Sequence, residues 1–344
     1  MIRICTSLQN NGYKVTLVGT CYKKANALTA QPYSQKRISV FFSKGALFYI
    51  TYNIQLFIFL IFNPAHLYCA IDLDTILPVF ARTFLTPKKR IYDAHEYFSQ
   101  QKEVISRPHI YKLWHGLEKF IVPRFKQGYT VSQSIANQFS LLYDVQYAVV
   151  RNVPLRQQKT QTQITQKNII YQGAVNEARC FETLIPAMKH VNATLHIYGD
   201  GNFMAQTKQL IIKNNLTTKV ILEGKFAPAQ LKNITATGYI GVNLVEHAGL
   251  SQYYSLANKF FDYIQHSIPQ LTMNYPEYKQ LNDTYNIALL INDTTEAAIA
   301  NGLNTLLNDD TLYKTLQTNC AVAAAILNWG NEEKILLAFY NNLI

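Results

Sequence analysis

Two helix starts in the second half of the chain carry the chemistry of an anion site. Asn258, Lys259 and Asp262 stand at the beginning of a short helical stretch, Asn258 to Gln265, which Pro269 ends. The first N–H groups of a helix have no partner inside it, and its dipole makes that end positive, so an anion such as a diphosphate is favoured there. Asp262, one turn in, can accept hydrogen bonds from sugar hydroxyls. Arg179 opens another helix, after a strand Asn168–Gly173 whose closing glycine lets a ligand come close to the backbone. An arginine at a helix start can be merely solvated; the Gly-terminated strand before this one favours a phosphate contact.

A second group lies in the first half. Asp72 and Asp74 form an Asp-x-Asp pair between a strand and a helix. Two carboxylates with no further oxygen ligand nearby make a weak metal site, so no metal is expected, and the pair reads as helix caps or as groups lining a cleft. Asp93, His95 and Glu96 follow the apolar end of another strand, Arg90–Phe98. A lone histidine is usually structural, but one at a strand end between two acids is a candidate for chemistry.

These residues need a repeating strand, loop and helix to hold them. Tyr239–Val245 reads as a buried strand, followed by the helix at Asn258 and a further strand at Leu271 and Met273. That is one parallel α/β unit, and such sheets bind ligands at the carboxyl ends of their strands. Thr194–Gly201 and Val220–Gly224 add strands, the first closing in a Gly199-Asp200-Gly201 turn. In the first half, strands are expected at Tyr13–Gly19, His66–Ile71 and Gly128 onward, with Ser132 capping the next helix. The polar run Arg156 to Lys167 reads as a linker. Two Rossmann-like domains are therefore expected, 1–155 with a closing helix 330–344, and 156–329.

Three stretches leave alternatives. Ser7 to Gly12 resembles a helix end with a glycine stop; the competing reading makes Met1–Thr6 a strand and Asn10-Asn11-Gly12 a hairpin turn. The helix reading is preferred. Ala46–Phe62 is strongly apolar but interrupted by Thr51, Asn53 and Gln55, short of the roughly 20 residues of a membrane span, so a buried helix is expected. Tyr111–Phe125 is amphipathic and expected to pack its apolar face into the core, with docking on a membrane surface as the other option.

The 344 residues carry a net charge of +11, and all of the excess lies in the first half: residues 1–155 hold 18 Lys and Arg against 7 Asp and Glu. Lys23-Lys24, Lys36-Arg37 and Lys88-Lys89-Arg90 contribute. Such a field suits an anionic membrane surface or simply a solvated face; nucleic acid is not expected, because no binding motif accompanies it. Five cysteines without paired spacing fit a reducing cytoplasm. Arg3 and Thr6 interrupt the start, so no cleavable signal is expected, and the chain is read as cytoplasmic, peripheral at the inner membrane face at most.

The segment Asn258-Lys259-Phe260-Phe261-Asp262-Tyr263 is similar to the donor-binding segment of GT-B glycosyltransferases, the large retaining family that uses nucleotide sugars. Tyr92-Asp93-Ala94-His95-Glu96, Thr130-Val131-Ser132, Arg179 and Gly199-Asp200-Gly201 resemble further family segments in the same order. The resemblance implies a GT-B fold with a cleft between two domains, and a sugar moved from a nucleotide diphosphate sugar to a saccharide or lipid-linked acceptor with retention, as in cell-surface polysaccharide synthesis. It implies His95 and Asp262 as catalytic-site residues, His95 facing the sugar and Asp262 the ribose. Gly173, Arg179, Gly199, Asp200, Asn258 and Lys259 would hold the donor, and Asp72, Asp74, Asp93 and Glu96 would lie on the acceptor side, with no cofactor or metal. The first of the family's two acids falls on Tyr254, with Glu246 a nearby substitute, and Cys180 stands where the family has glycine. Relatives open with a central strand that this sequence lacks, so the true start is expected upstream, or the gene product is expected to be truncated. The rival readings are an inactive homologue that binds nucleotide as a scaffold, and a sugar-nucleotide 2-epimerase.

Overall fold

The computed structural model describes residues 1–22, 27–157 and 166–343, which divide into two compact units, 1–151 with 332–344, and 152–331. Lys23, Lys24 and most of the expected linker (158–165) lie outside the described residues.

The second unit is a six-stranded parallel sheet in the order β12-β11-β10-β7-β8-β9. Its strands are β7 (Ile169–Gln172), β8 (Leu195–Tyr198), β9 (Val220–Gly224), β10 (Ile240–Asn243), β11 (Gln270–Met273) and β12 (Ala288–Ile291). All of β7, β10 and β11 is buried, as strands with helices on both faces require. The sheet grows from β7 in one direction through β8 and β9, and in the other through β10 to β12. The crevice at the carboxyl ends of β7 and β10 is therefore the switch point where such sheets take ligands. The helices are α7 (Phe181–Ala187), α8 (Met204–Lys213), α9 (Pro228–Thr235), α10 (Leu250–Tyr253), α11 (Asn258–Gln265), α12 (Pro276–Tyr285), α13 (Glu296–Asn308) and α14 (Asp310–Ala324).

The first unit opens on a helix (Ile2–Asn10), so the strand-and-hairpin alternative for this segment is wrong. Ile4, Cys5 and Leu8 recur at helical spacing and are buried, and that periodicity outweighs the local turn signal of Asn-Asn-Gly. Six strands follow in two separate parallel sheets. β1 (Thr16–Tyr22) pairs only with β2 (Ser34–Val40); β3 (Leu67–Ile71), β4 (Lys89–Ala94), β5 (Gly128–Thr130) and β6 (Ala148–Val149) form the other. A central strand joining them is absent from the described residues, so the two-stranded and the four-stranded sheet stay separate. The helices of this unit are α1 (Ile2–Asn10), α2 (Gly45–Phe62), α3 (Ile76–Phe84), α4 (Lys102–Ile105), α5 (Pro108–Ile121) and α6 (Gln133–Tyr143). Ser132 caps α6, its hydroxyl accepting from the Ile135 N–H at 3.3 Å. The closing helix α15 (Trp329–Asn341) starts in the second unit, and its larger part belongs to the first, where the Glu332 carboxylate accepts from the Arg151 N–H at 2.8 Å.

Two burial expectations fail. The apolar run at 46–62 is a helix, but only Tyr52, Leu56 and Leu60 of its eighteen residues are buried. In α5, Glu118 and Ile121 are buried while Leu113 and Phe120 stay exposed. Both helices lie in an outer layer and use one stripe for packing; composition alone does not say which stripe finds a neighbour.

Candidate functional site

The end of β7 collects the residues of the second unit. Gly173, just past the strand, has φ +120°, and Lys259 in the first turn of α11 lies against it: a Cβ on Gly173 would stand 3.7 Å from Lys259 Cε. Lys259 Nζ sits 3.6 Å from the centre of the Tyr171 ring. The ammonium is buried and has no hydrogen-bond partner. Burial pulls its pKa well down, and the Arg179 guanidinium nearby pulls the same way. Two cationic side chains thus share a corner at the start of α11, a helix with no side-chain cap on its N-terminus. A buried ammonium costs several kcal/mol, on the order of a broken buried ion pair, unless an anion joins it.

Asp262 points to the same strand end. Its Oδ2 accepts from Gln172 Nε2 at 2.9 Å, and Gln172 Oε1 accepts from Thr235 Oγ1 at 2.6 Å. Gln172 and Thr235 are buried, so this chain fixes the carboxylate one turn beyond the lysine. Arg179, Lys259, Asp262 and Gly173 therefore converge, and Asn258 lies exposed beside them at the start of α11.

Gly199 and Asp200 serve the loop from behind. Gly173 and Val175 N–H groups donate to Tyr198 and Asp200 carbonyls at 3.0 and 3.1 Å. A Cβ on Gly199 would stand 1.8 Å from the Gly173 carbonyl oxygen, so no other residue fits there. The Asp200 carboxylate accepts from the Gly201 N–H at 2.8 Å, bracing its own turn. Cys180, in the family's glycine position, takes the left-handed conformation at φ 60° and ψ 25°, so the turn survives at a backbone cost. Burial pushes its thiol up to about 12, with Glu246 and Glu182 adding to it, so it is not a thiolate. Glu246 donates its N–H to the Ala178 carbonyl at 3.1 Å and so lies over the Arg179 turn, while Tyr254 ends α10 with its ring 5.3 Å from that of Tyr253.

The first unit gathers its own group at the carboxyl ends of β3 and β4. Asp72, at φ 54°, turns its Oδ1 to accept from the N–H groups of His95 (2.9 Å) and Glu96 (3.3 Å). Asp72 precedes the short 3-10 turn Leu73–Thr75 but its side chain makes no cap bond there, Asp74 lies within that turn, and Thr75 stands before α3; the capping expectation is corrected. The positive φ aims the Asp72 carboxylate across to the β4 loop instead of along its own chain. Asp93 is fully buried; its Oδ2 lies 3.2 Å from His95 Nε2 and accepts from the Tyr129 hydroxyl at 2.9 Å. Met1 Sδ is 3.3 Å from the same imidazole nitrogen. Burial works against charge on His95, but the Asp93 bond and the Asp93 and Asp72 charges prevail and raise its pKa. Burial raises Asp72 to about 7 and Asp74 to about 6. Glu96 is exposed and accepts from Gln101 Nε2. Among the described residues no three His, Cys, Asp or Glu side chains are grouped to hold a metal ion.

No protein-family model and no curated protein matches the chain. Solved structures do. WaaG, a glycosyltransferase involved in lipopolysaccharide biosynthesis, is similar at a TM-score of 0.74 and 13% identity over 97% of this chain and 93% of its own. HepE from Anabaena, in complex with UDP, gives 0.73 and 14% over 99% and 95%. The chain has the GT-B fold. A TarM variant from S. aureus, in complex with fondaparinux, α-GlcNAc-glycerol and UDP, gives 0.66 and 15% over 85% of this chain, which spans 58% of the length of TarM. At such identities the likeness carries GT-B architecture. Within that architecture three contributors were not singled out from sequence: Tyr171, Gln172 and Thr235. The one signal pointing to them is a polar residue, Gln172, in the last position of an otherwise apolar strand just before Gly173.

Proposed function

We propose that the chain transfers a glycosyl group from a nucleotide diphosphate sugar to a saccharide or lipid-linked acceptor, with retention at the anomeric carbon. The observation that carries this reading is the buried, unpartnered Lys259 ammonium beside Arg179 at an uncapped helix start. A diphosphate supplies the missing counter-charge, and the UDP bound to HepE and TarM is a ligand of that chemistry.

As the glycosidic bond breaks, negative charge builds on the departing diphosphate. Arg179, Lys259 and the free N–H groups of α11 stabilise that charge in place, the task a divalent cation performs elsewhere. Asp262, held by Gln172, accepts from the ribose hydroxyls. His95, held by Asp93, takes the sugar-facing role that the family resemblance implies.

Tyr254 favours a second reading, because the first of the family's two acids is lost there: a homologue that binds the nucleotide without turnover. Calorimetric titration with UDP, followed by an assay for UDP release from a panel of nucleotide sugars, tests both. Binding with release only in the presence of an acceptor supports transfer; binding without release supports the second reading; conversion of the donor alone to an epimer indicates a 2-epimerase. No binding of any nucleoside diphosphate refutes the proposal.

A further inference from the structure

The strongest feature outside the site is the helix α2. It is apolar on two opposite stripes and bears no charged residue between Gly45 and Phe62. Tyr52, Leu56 and Leu60 form its inner stripe, while Ile50, Ile54 and Ile58 on the opposite side are 54%, 55% and 48% exposed. A helix apolar on both sides normally has a neighbour on both.

The exposed stripe has company. Tyr49 of α2 packs edge-on to Trp114 of α5 at 5.1 Å, Arg82 of α3 donates Nε to the Leu60 carbonyl at 3.0 Å, and Phe80 of α3 meets Phe120 of α5 at 6.4 Å. The three helices thus form one layer, and α3 and α5 also leave large apolar side chains in solvent: Phe84 is 77% and Leu113 66% exposed. Phe41, 83% exposed, precedes α2 in the chain. An apolar surface of this extent on a water-soluble face marks an interaction site.

Its charges indicate the partner. Lys44 sits at the start of α2, Lys112 and Lys119 lie exposed beside Leu113 and Phe120, and the Arg124 guanidinium stacks 4.0 Å over the Phe120 ring. No exposed carboxylate interrupts α2, α3 or α5: the single acid on these helices, Glu118, is buried and accepts from the Tyr143 hydroxyl at 2.5 Å. An apolar layer whose own exposed charges are cations, with Glu103 of the adjoining α4 the exposed acid next to α5, complements a lipid surface with anionic headgroups. At 18 residues α2 is about 27 Å long, near the thickness of a hydrocarbon core, but its inner stripe is packed on the unit and Asn53 donates to the Asp74 carbonyl at 3.0 Å. A helix tied to its unit along one side in this way is placed to lie along an apolar surface rather than to span one.

We propose that the outer face of α2, α3 and α5 docks the first unit on an anionic membrane surface, with Ile50, Ile54 and Ile58 entering the headgroup boundary. This goes beyond the glycosyl-transfer reading and stands without it. The test is co-sedimentation of the full chain with vesicles of phosphatidylcholine alone and with added phosphatidylglycerol. The wild type is expected on the anionic vesicles, less so at high salt. The triple substitution Ile50→Glu, Ile54→Glu, Ile58→Glu is expected to weaken that binding about tenfold or more, and Lys112→Glu with Lys119→Glu to weaken it on anionic vesicles only. Failure of the wild type to bind anionic vesicles, or binding that survives both variants, overturns the proposal. So does a wild-type dimer in analytical ultracentrifugation that the triple variant dissociates, since a second copy then covers the face. UDP binding, measured in parallel, is expected to be unchanged in every variant.

Discussion

The two units present the same kind of edge, the carboxyl ends of a parallel sheet, and fill it with opposite charge. In the second unit Lys259 and Arg179 crowd together, with Lys259 lacking any hydrogen-bond partner. In the first, Asp72 and Asp93 flank His95 and are bonded within the protein, while the buried Asp93 Oδ1 has no partner. A cationic corner without its counter-ion is arranged for something that arrives; an acid cluster that braces its own loops is arranged first to hold a shape. The sheets differ in the same sense. The second unit has six joined strands, whereas in the first a two-stranded parallel pair stands apart, a form with little stability of its own.

Replacing Lys259 tests the contrast hardest. Lys259→Met is expected to cut UDP affinity about 100-fold, since bonds to charged groups contribute about 1.5–3 kcal/mol each. It should also raise the melting temperature, because an uncompensated buried charge goes with it. Unchanged affinity in titration calorimetry would place the diphosphate elsewhere.

pH should act on the two edges in opposite directions. Lys259 is depressed by folding, so its contribution is present above the ordinary lysine value of about 10.4 and lost as pH falls toward the lowered one. UDP favours the charged form, so at pH values between the lowered and the ordinary lysine value binding should take up a proton, visible as a dependence of the calorimetric heat on buffer ionisation. Asp72 and His95 are raised, so their contribution is full below the unfolded values and lost as pH rises through about 7 for Asp72. With the base-catalysed intrinsic rate divided out, amide protection in β4 and β5 should therefore fall as pH rises from about 4 to about 7. In Asp72→Asn, whose Oδ1 still accepts from His95 and Glu96, that slope should flatten. A slope unaltered by the substitution would assign the titration to another group. The smallest effect is expected at Cys180, held at φ 60°. Cys180→Gly should relieve about 1 kcal/mol of backbone strain, set against the lost burial of its thiol, and leave UDP binding intact. A loss of binding would give the side chain a role in the site.

Much of this was legible in the residues. Arg179, Lys259 and Asp262 were picked out by helix starts and a Gly-terminated strand, and the helix at Asn258–Gln265 has the expected bounds. Those are local signals: caps, breakers and periodicity act over a few residues, so sequence carries them whole. Gln172, which holds Asp262 from 90 positions away, and Tyr171, which covers the Lys259 ammonium, were not legible, because their roles exist only once α11 lies across β7. Of the two roles read for Asp72, the helix cap failed for the same reason: the N–H groups that donate to it stand in the loop after the neighbouring strand β4.

The sequence by itself determined the alternation of strands and helices, the charge asymmetry between the halves and the residues at the strand ends. Tertiary structure decided which of those residues meet, which charge lacks a partner, and that α2 shows an apolar side to solvent. Burial is a relation between distant parts of a chain, and hydrophobic periodicity records a helix's faces without recording what lies against them.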